Sequence, residues 1–160
     1  MARLTDDMLE FLASGVAHQV GGCTADGRPL ICRALAAEAL DDGRLRVLIS
    51  GVQGFELLEA IRINGRVALC LVTPGDYHAV HFKGRDTQVS AADGPRERAL
   101  VAERLRVFAA QLTPFGFPAG YAQALYAVPE GALTAITFTP EGAWSQTPGP
   151  GAGHALALKP

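Results

Sequence analysis

What this chain is short of narrows its function before any motif does. Only 3 of its 160 residues are cysteine. Cys23, Cys32 and Cys70 stand at wide, unpatterned spacings, so they imply neither a disulfide framework nor a tetrahedral zinc site. They read as small buried hydrophobes. Basic charge is sparse as well: 14 Lys and Arg against 16 Asp and Glu leave a net charge of −2. Those cations are scattered, which denies a nucleic-acid backbone its electrostatic footprint. No apolar run, Val67 to Val72 included, approaches the roughly 20 residues of a membrane-spanning helix. Asp6 and Asp7 stand where a signal peptide would have a basic start and an apolar stretch, so the expected address is cytoplasmic.

What is present suits one strand-and-turn domain: 49% of residues are apolar, with 18 Gly and 10 Pro. Thr5 before Asp6-Asp7 reads as a helix cap, with a stop at Gly15. Asp26-Gly27 and Asp42-Gly43 each supply the positive-φ turn of a tight hairpin. They join strands near 16–24, 30–37 and 45–50 into a meander. Phe55, Leu58 and Ile61 mark a short amphipathic helix that ends at Asn64-Gly65. Val67 to Val72 reads as a strand buried on both faces, and Tyr77 to Ala91 as a strand bulged at Gly84. Pro95 opens a long helix whose stripe includes Leu100, Arg104, Phe108 and Leu112. Tyr121 to Tyr126 forms one or two helical turns. Leu133 to Phe138 alternates as a strand, Pro140-Glu141-Gly142 turns, and Ala143 to Gln146 pairs back. The expected organisation is a domain over residues 1–148 with a Pro/Gly-rich tail over 149–160.

No single motif names a chemistry. His78 and His81, three apart in an extended strand, point to opposite faces and cannot chelate one ion. Gly149 to Gly153 lacks the following helix that a dinucleotide loop needs. Ser14, Ser50 and Ser145 lie in no nucleophile elbow or triad spacing. Arg33, Lys83 and Arg85 differ, because each interrupts a strand that is otherwise apolar or small. A charge there must face solvent, pair, or meet an anion such as a ligand phosphate.

The order of these pieces resembles the pyridoxamine 5'-phosphate oxidase-like family of FMN-binding split barrels, over about residues 4 to 148. The resemblance rests on Thr24-Ala25-Asp26-Gly27-Arg28-Pro29, Asp42-Gly43-Arg44-Leu45, Leu57 to Leu69 with Asn64, and Phe82-Lys83-Gly84-Arg85. It implies an α+β fold: a split barrel of about six to seven antiparallel strands with two to four flanking helices. It also implies a homodimer holding FMN between subunits. Carried across, it puts Arg33 at the phosphate or flavin edge, Ser50 and Gly51 at the end of the third strand, and Gln53, Gly54 and Phe55 at the helix entry. Lys83 and Arg85 would reach in from the adjoining strand, with Trp144 and the segment from Gln146 covering the ring from the partner subunit. The family's Ser-Arg-Lys phosphate cluster is replaced by Val52-Gln53-Gly54-Phe55, and its C-terminal Arg-x-His is absent. An FMN oxidoreductase acting on an unknown small molecule is therefore the leading expectation, with no catalytic residue assigned. The alternatives are a module that stores or senses flavin or haem, with His78, His81 or His154 as axial ligand, and a barrel without cofactor.

Overall fold

A computed structural model describes residues 3–159. Met1, Ala2 and Pro160, which fall within the expected domain and tail, lie outside the described residues. The strands are β1 (Ala17–Cys23), β2 (Pro29–Ala39), β3 (Leu45–Ser50), β4 (Val67–Val72), β5 (Ala79–Ala91), β6 (Leu133–Ser145) and β7 (Ala155–Leu156). Their order is β3-β2-β1-β4-β5-β6-β7, and β3 also pairs with β6. Six antiparallel strands thus close into a barrel, and β7 extends it. The helices are α1 (Asp6–Ala13), α2 (Phe55–Asn64), α3 (Pro95–Leu112) and α4 (Tyr121–Leu125). Among the described residues no helix is long and apolar enough to cross a membrane.

Local chemistry accounts for most boundaries. The Thr5 hydroxyl accepts the Met8 N–H at 3.3 Å and caps α1. Gly27 and Gly43 take φ of 89° and 84° in the two hairpins, and Gly65 ends α2 at φ 68°. Pro95 occupies the first turn of α3, where a missing N–H costs nothing. Alternation then fills the barrel: Val20, Leu45, Val47, Leu69, Leu71, Phe82, Ile136 and Phe138 are wholly buried. α3 lies along the outside and buries Val101, Leu105, Phe108 and Leu112. The expected stripe is rotated, with Leu100 and Arg104 at its margin.

Four expectations are corrected. β4 is not buried on both faces: Val67, Leu69 and Leu71 point inward, while Ala68, Cys70 and Val72 are only half-buried on the outside. β6 does not turn at Pro140 but continues through it. Lys83 pairs with Gly142 and Gly84 with Pro140, so Glu141 is an extra residue in β6; further on, Arg85 pairs with Thr139 and Gln88 with Thr137, which leaves an extra residue in β5. Two compensating bulges keep the strands together, with Asp86 at φ 54° in the second. His78 precedes β5 and does not share its strand with His81. The tail rejoins the sheet, with Ala155 opposite Trp144 and Leu156 opposite Ala143.

On the side away from β5, β6 serves two neighbours. Its first half pairs with β3, as in Leu45 opposite Phe138, and its last residues pair with β7.

Candidate functional site

Strand alternation builds one broad outer face that, among the described residues, no helix covers, with Gln19, Ile31, Arg33 and Lys83 exposed on it. Cross-strand registers line up Arg33, Gln19, Cys70, His81 and Trp144 in one row. The next row is Ile31, Gly21, Ala68, Lys83 and Gly142. Small side chains at the centre make the floor shallow, and larger ones stand around it. At about 4.8 Å per strand, four steps separate Arg33 from Trp144 by roughly 19 Å along the curved sheet. The Trp144 ring lies over Gly142, where a Cβ would come 2.6 Å from it. It also carries the Lys83 ammonium 5.2 Å from its centroid and the His81 ring at 6.4 Å. Burial, and then the Lys83 charge, lower the His81 pKa, which favours the neutral imidazole.

Two clefts meet at Ile31, which is 71% exposed. One, of about 360 Å³, is lined by Gln19, Ile31, Cys32, Arg33 and Gln53. The other, of about 680 Å³, has an apolar lining in which Arg66 and Lys83 are the charged members. These cations stand out against the rest of the chain. Of the 14 Lys and Arg, nine have a carboxylate partner: Arg28, Arg44, Arg46, Arg62, Arg85, Arg96, Arg98, Arg106 and Lys159. Arg3, Arg33, Arg66, Lys83 and Arg104 have none among the described residues. Three of those five line the two clefts.

The start of α2 borders the smaller cleft, since a Cβ at Gly54 would sit 3.4 Å from the Cys32 sulfur. Several expected donors there are already engaged. Ser50 is buried, and its hydroxyl accepts the Gln53 N–H at 3.3 Å. The Gly51 N–H donates to the Ala132 carbonyl at 2.7 Å and the Gly54 N–H to the Ser50 carbonyl at 2.8 Å. Arg33 and the Gln53 side chain remain open, and Phe55 projects outward at 65% exposure. Lys83 belongs to the larger cleft. Arg85 lies beyond Gly84, 3.7 Å from Glu141, and lines neither cleft. The Gln146 N–H is tied to the Ala79 carbonyl at 2.8 Å.

The structure therefore brings Arg33 together with Gln53, and Lys83 with Trp144, but gathers no single cluster from all ten expected residues. It adds Gln19, Ile31 and Arg66. Arg66 carried a readable signal, a charge between the Gly65 stop and the buried run from Val67; Gln19 carried none. The other histidines lie elsewhere: the Phe11 ring packs edge-on against His78 at 4.7 Å, and the Thr147 hydroxyl lies 3.1 Å from its Nδ1. His154 is exposed in the turn before β7. Among the described residues no group of three or more His, Cys, Asp or Glu is placed to hold a metal ion.

No family model and no curated protein matches this sequence. Solved structures do match, and they define the class: the fold is the pyridoxamine 5'-phosphate oxidase-like split barrel. A putative pyridoxamine 5'-phosphate oxidase from Lactobacillus delbrueckii superposes at TM-score 0.54 and 15% identity, over 89% of this chain and 93% of its own. HupZ of Group A Streptococcus superposes at 0.56 and 17%, over 94% and 99%. HutZ, the haem storage protein of Vibrio cholerae, does so at 0.52 and 16%, over 89% and 94%. Identities this low establish the shared fold alone.

Proposed function

We propose that the protein binds FMN as a homodimer and acts as a flavin-dependent oxidoreductase on a small molecule, with the phosphate end of the cofactor at the Arg33 cleft. The observation that carries this reading is Arg33 itself. It is an exposed strand cation with no acidic partner among the described residues, beside Gln53 and the start of a ten-residue helix. A guanidinium so placed suits a phosphate, because its fixed fork of donors matches phosphate oxygens. The donor set fits on narrower terms than the family resemblance implies. The Gly51 and Gly54 N–H groups are spent on the Ala132 and Ser50 carbonyls and Ser50 is buried, which leaves Arg33, the Gln19 and Gln53 amides and the α2 N-terminus open.

Bound flavin would supply hydride or electron transfer. The chain's own residues would position it. Arg33 would neutralise phosphate charge, Gln19 and Gln53 would offer amide hydrogen bonds, and the Gly21 and Ala68 floor would let a flat ring approach the sheet. Dimerisation is supported by exposed apolar side chains around the same face, Ile31, Val52 and Phe55. A second copy lying there would exclude water, and Trp144 and Gln146 of either copy would flank the ring. The experiment is an FMN titration followed by the visible flavin spectrum, with molar mass measured in parallel. Saturable binding to a dimer is expected. A monomer that ignores added FMN would exclude the reading.

A second reading is favoured by His81. Its neutral imidazole stands on the open face opposite Cys70 and beside Trp144, with a lone pair that suits an axial iron ligand. Haem titration should then give a Soret band that is lost in His81→Ala, with FMN giving no spectral change.

A further inference from the structure

On the side of the barrel that α3 covers, Arg104 is an exception. One terminal nitrogen of its guanidinium reaches the Ala13 carbonyl at 3.4 Å, but it has no carboxylate partner among the described residues. The neighbouring acid on α3, Glu103, is taken by Arg106 at 2.8 Å. Arg104 Nε is buried without a hydrogen-bond partner, and so is Nε2 of His18, a β1 residue that is 4% exposed. Among the described residues, these are the two buried side-chain polar atoms left unpartnered. The side chains that carry them line one small cavity of about 10 Å³, room for a water molecule or an ion little larger. Tyr126, at the end of α4, is the other titratable group in the lining, and the remaining five residues, from β2, α3 and the segment before β1, are apolar. Unmatched buried polar atoms are costly, and two of them at one cavity point to a shared ligand.

The proton on His18 decides which ligand fits. A hydrogen bond to the Leu12 backbone engages the other ring nitrogen. In the neutral ring Nε2 is therefore an acceptor that shares the cavity with the Arg104 Nε–H donor, and one water satisfies both. Once Nε2 is protonated, the cavity holds two N–H donors and two positive charges, which water cannot balance. We infer that this cavity is a proton-linked site for one monoatomic anion of the halide class, such as chloride, which accepts hydrogen bonds from Arg104 Nε–H and the protonated His18 Nε2–H. Its size excludes polyatomic organic anions. Burial, then the Arg104 charge, disfavour protonation of His18; an anion offsets the second of these, so anion and proton each promote the other's binding. The site stands apart from the cofactor reading, since no residue lines both it and the Arg33 cleft. What it confers is a native state that resists acid better when chloride is present.

The test is a set of urea melts of the full chain near pH 5 and pH 7.5, in sodium chloride or in sodium gluconate of equal ionic strength, so that charge screening is common to both. Chloride should raise the urea midpoint with increasing concentration at the lower pH and leave it unchanged at the higher, the chloride affinities differing by at least about 5-fold. His18→Gln and Arg104→Met should each abolish this response. An NMR titration of His18 in the native chain needs no substitution: its pKa should be higher in chloride than in gluconate. Identical melts in the two salts would leave the cavity to water alone and overturn the proposal. So would an equal chloride effect at both pH values, a His18 titration indifferent to chloride, or a chloride response that survives in both variants, which would place the anion elsewhere.

Discussion

The two sides of the barrel treat positive charge in opposite ways. Where α3 covers the sheet, arginines other than Arg104 are matched by carboxylates within the chain. Arg46 reaches Glu38 at 3.2 Å and Glu97 at 2.8 Å, and Arg96 reaches Glu38 at 2.7 Å. Arg98 grips Asp93 at 2.6 Å and the Pro129 carbonyl at 2.7 Å. On the uncovered face, Arg33, Arg66 and Lys83 have no such partners. Cations are therefore structural in one region, binding helix to sheet, and in the other they await charge from outside the chain. The same contrast holds for apolar groups, which are sealed under α3 but left open at Ile31, Val52 and Phe55.

The largest expected effect lies on the covered side. His18 is buried near Arg104, and burial above all, then the Arg104 charge, lower its pKa from 6.5 to about 4 against a smaller opposing hydrogen bond at Leu12. The unfolded chain takes up this proton at about 6.5 while the native state resists it down to about 4. Stability is thus complete above pH 6.5 and falls as the pH drops toward 4, by at most about 3 kcal/mol. Denaturant melts at pH 7, 6, 5 and 4 should show this slope and His18→Leu should flatten it; an unchanged slope in the variant would assign it to other groups.

Arg46→Ala should cost about 2 kcal/mol, because it leaves Glu38 and Glu97 poorly compensated beneath α3. A thermal melt would show it, and FMN affinity should stay the same. Arg33→Ala reverses the pattern, with no change in melting temperature and an FMN affinity weaker by about 1.5 to 3 kcal/mol. If the two variants behaved alike, the division between structural and ligand-facing cations would collapse. Smallest of all is Arg28→Ala. Arg28 pairs with Glu56 in full solvent, and its loss should leave both the melt and FMN binding unaltered.

Local chemistry made much of the fold readable. The positive-φ glycines at 27, 43 and 65 and the Pro95 helix start are decided within a few residues, and α2 and α3 fall where their periodicity places them. What escaped depends on partners distant in sequence. Pro140-Glu141-Gly142 carries turn chemistry, yet β5 supplies a compensating bulge that keeps β6 continuous. The tail has little strand propensity, and β7 forms because β6 offers an unpaired edge beyond β3.

The site was legible in the same proportion. Arg33 and Lys83 showed themselves as charges interrupting strands. Ser50, Gly51 and Gly54 looked available because sequence does not reveal that their hydrogen bonds close on Gln53, Ala132 and each other. Gln19 joins Arg33 only through the pairing of β1 with β2.

The most direct measurement is a side-by-side FMN titration of the native chain and Arg33→Ala, each with its thermal melt. Saturable binding of one FMN per chain, weakened about 10- to 100-fold in the variant at an unchanged melting temperature, is the predicted result. Equal affinity in the two proteins, or a loss of binding that merely follows a loss of stability, would contradict the claim that the unpaired cations of the open face are there for a ligand.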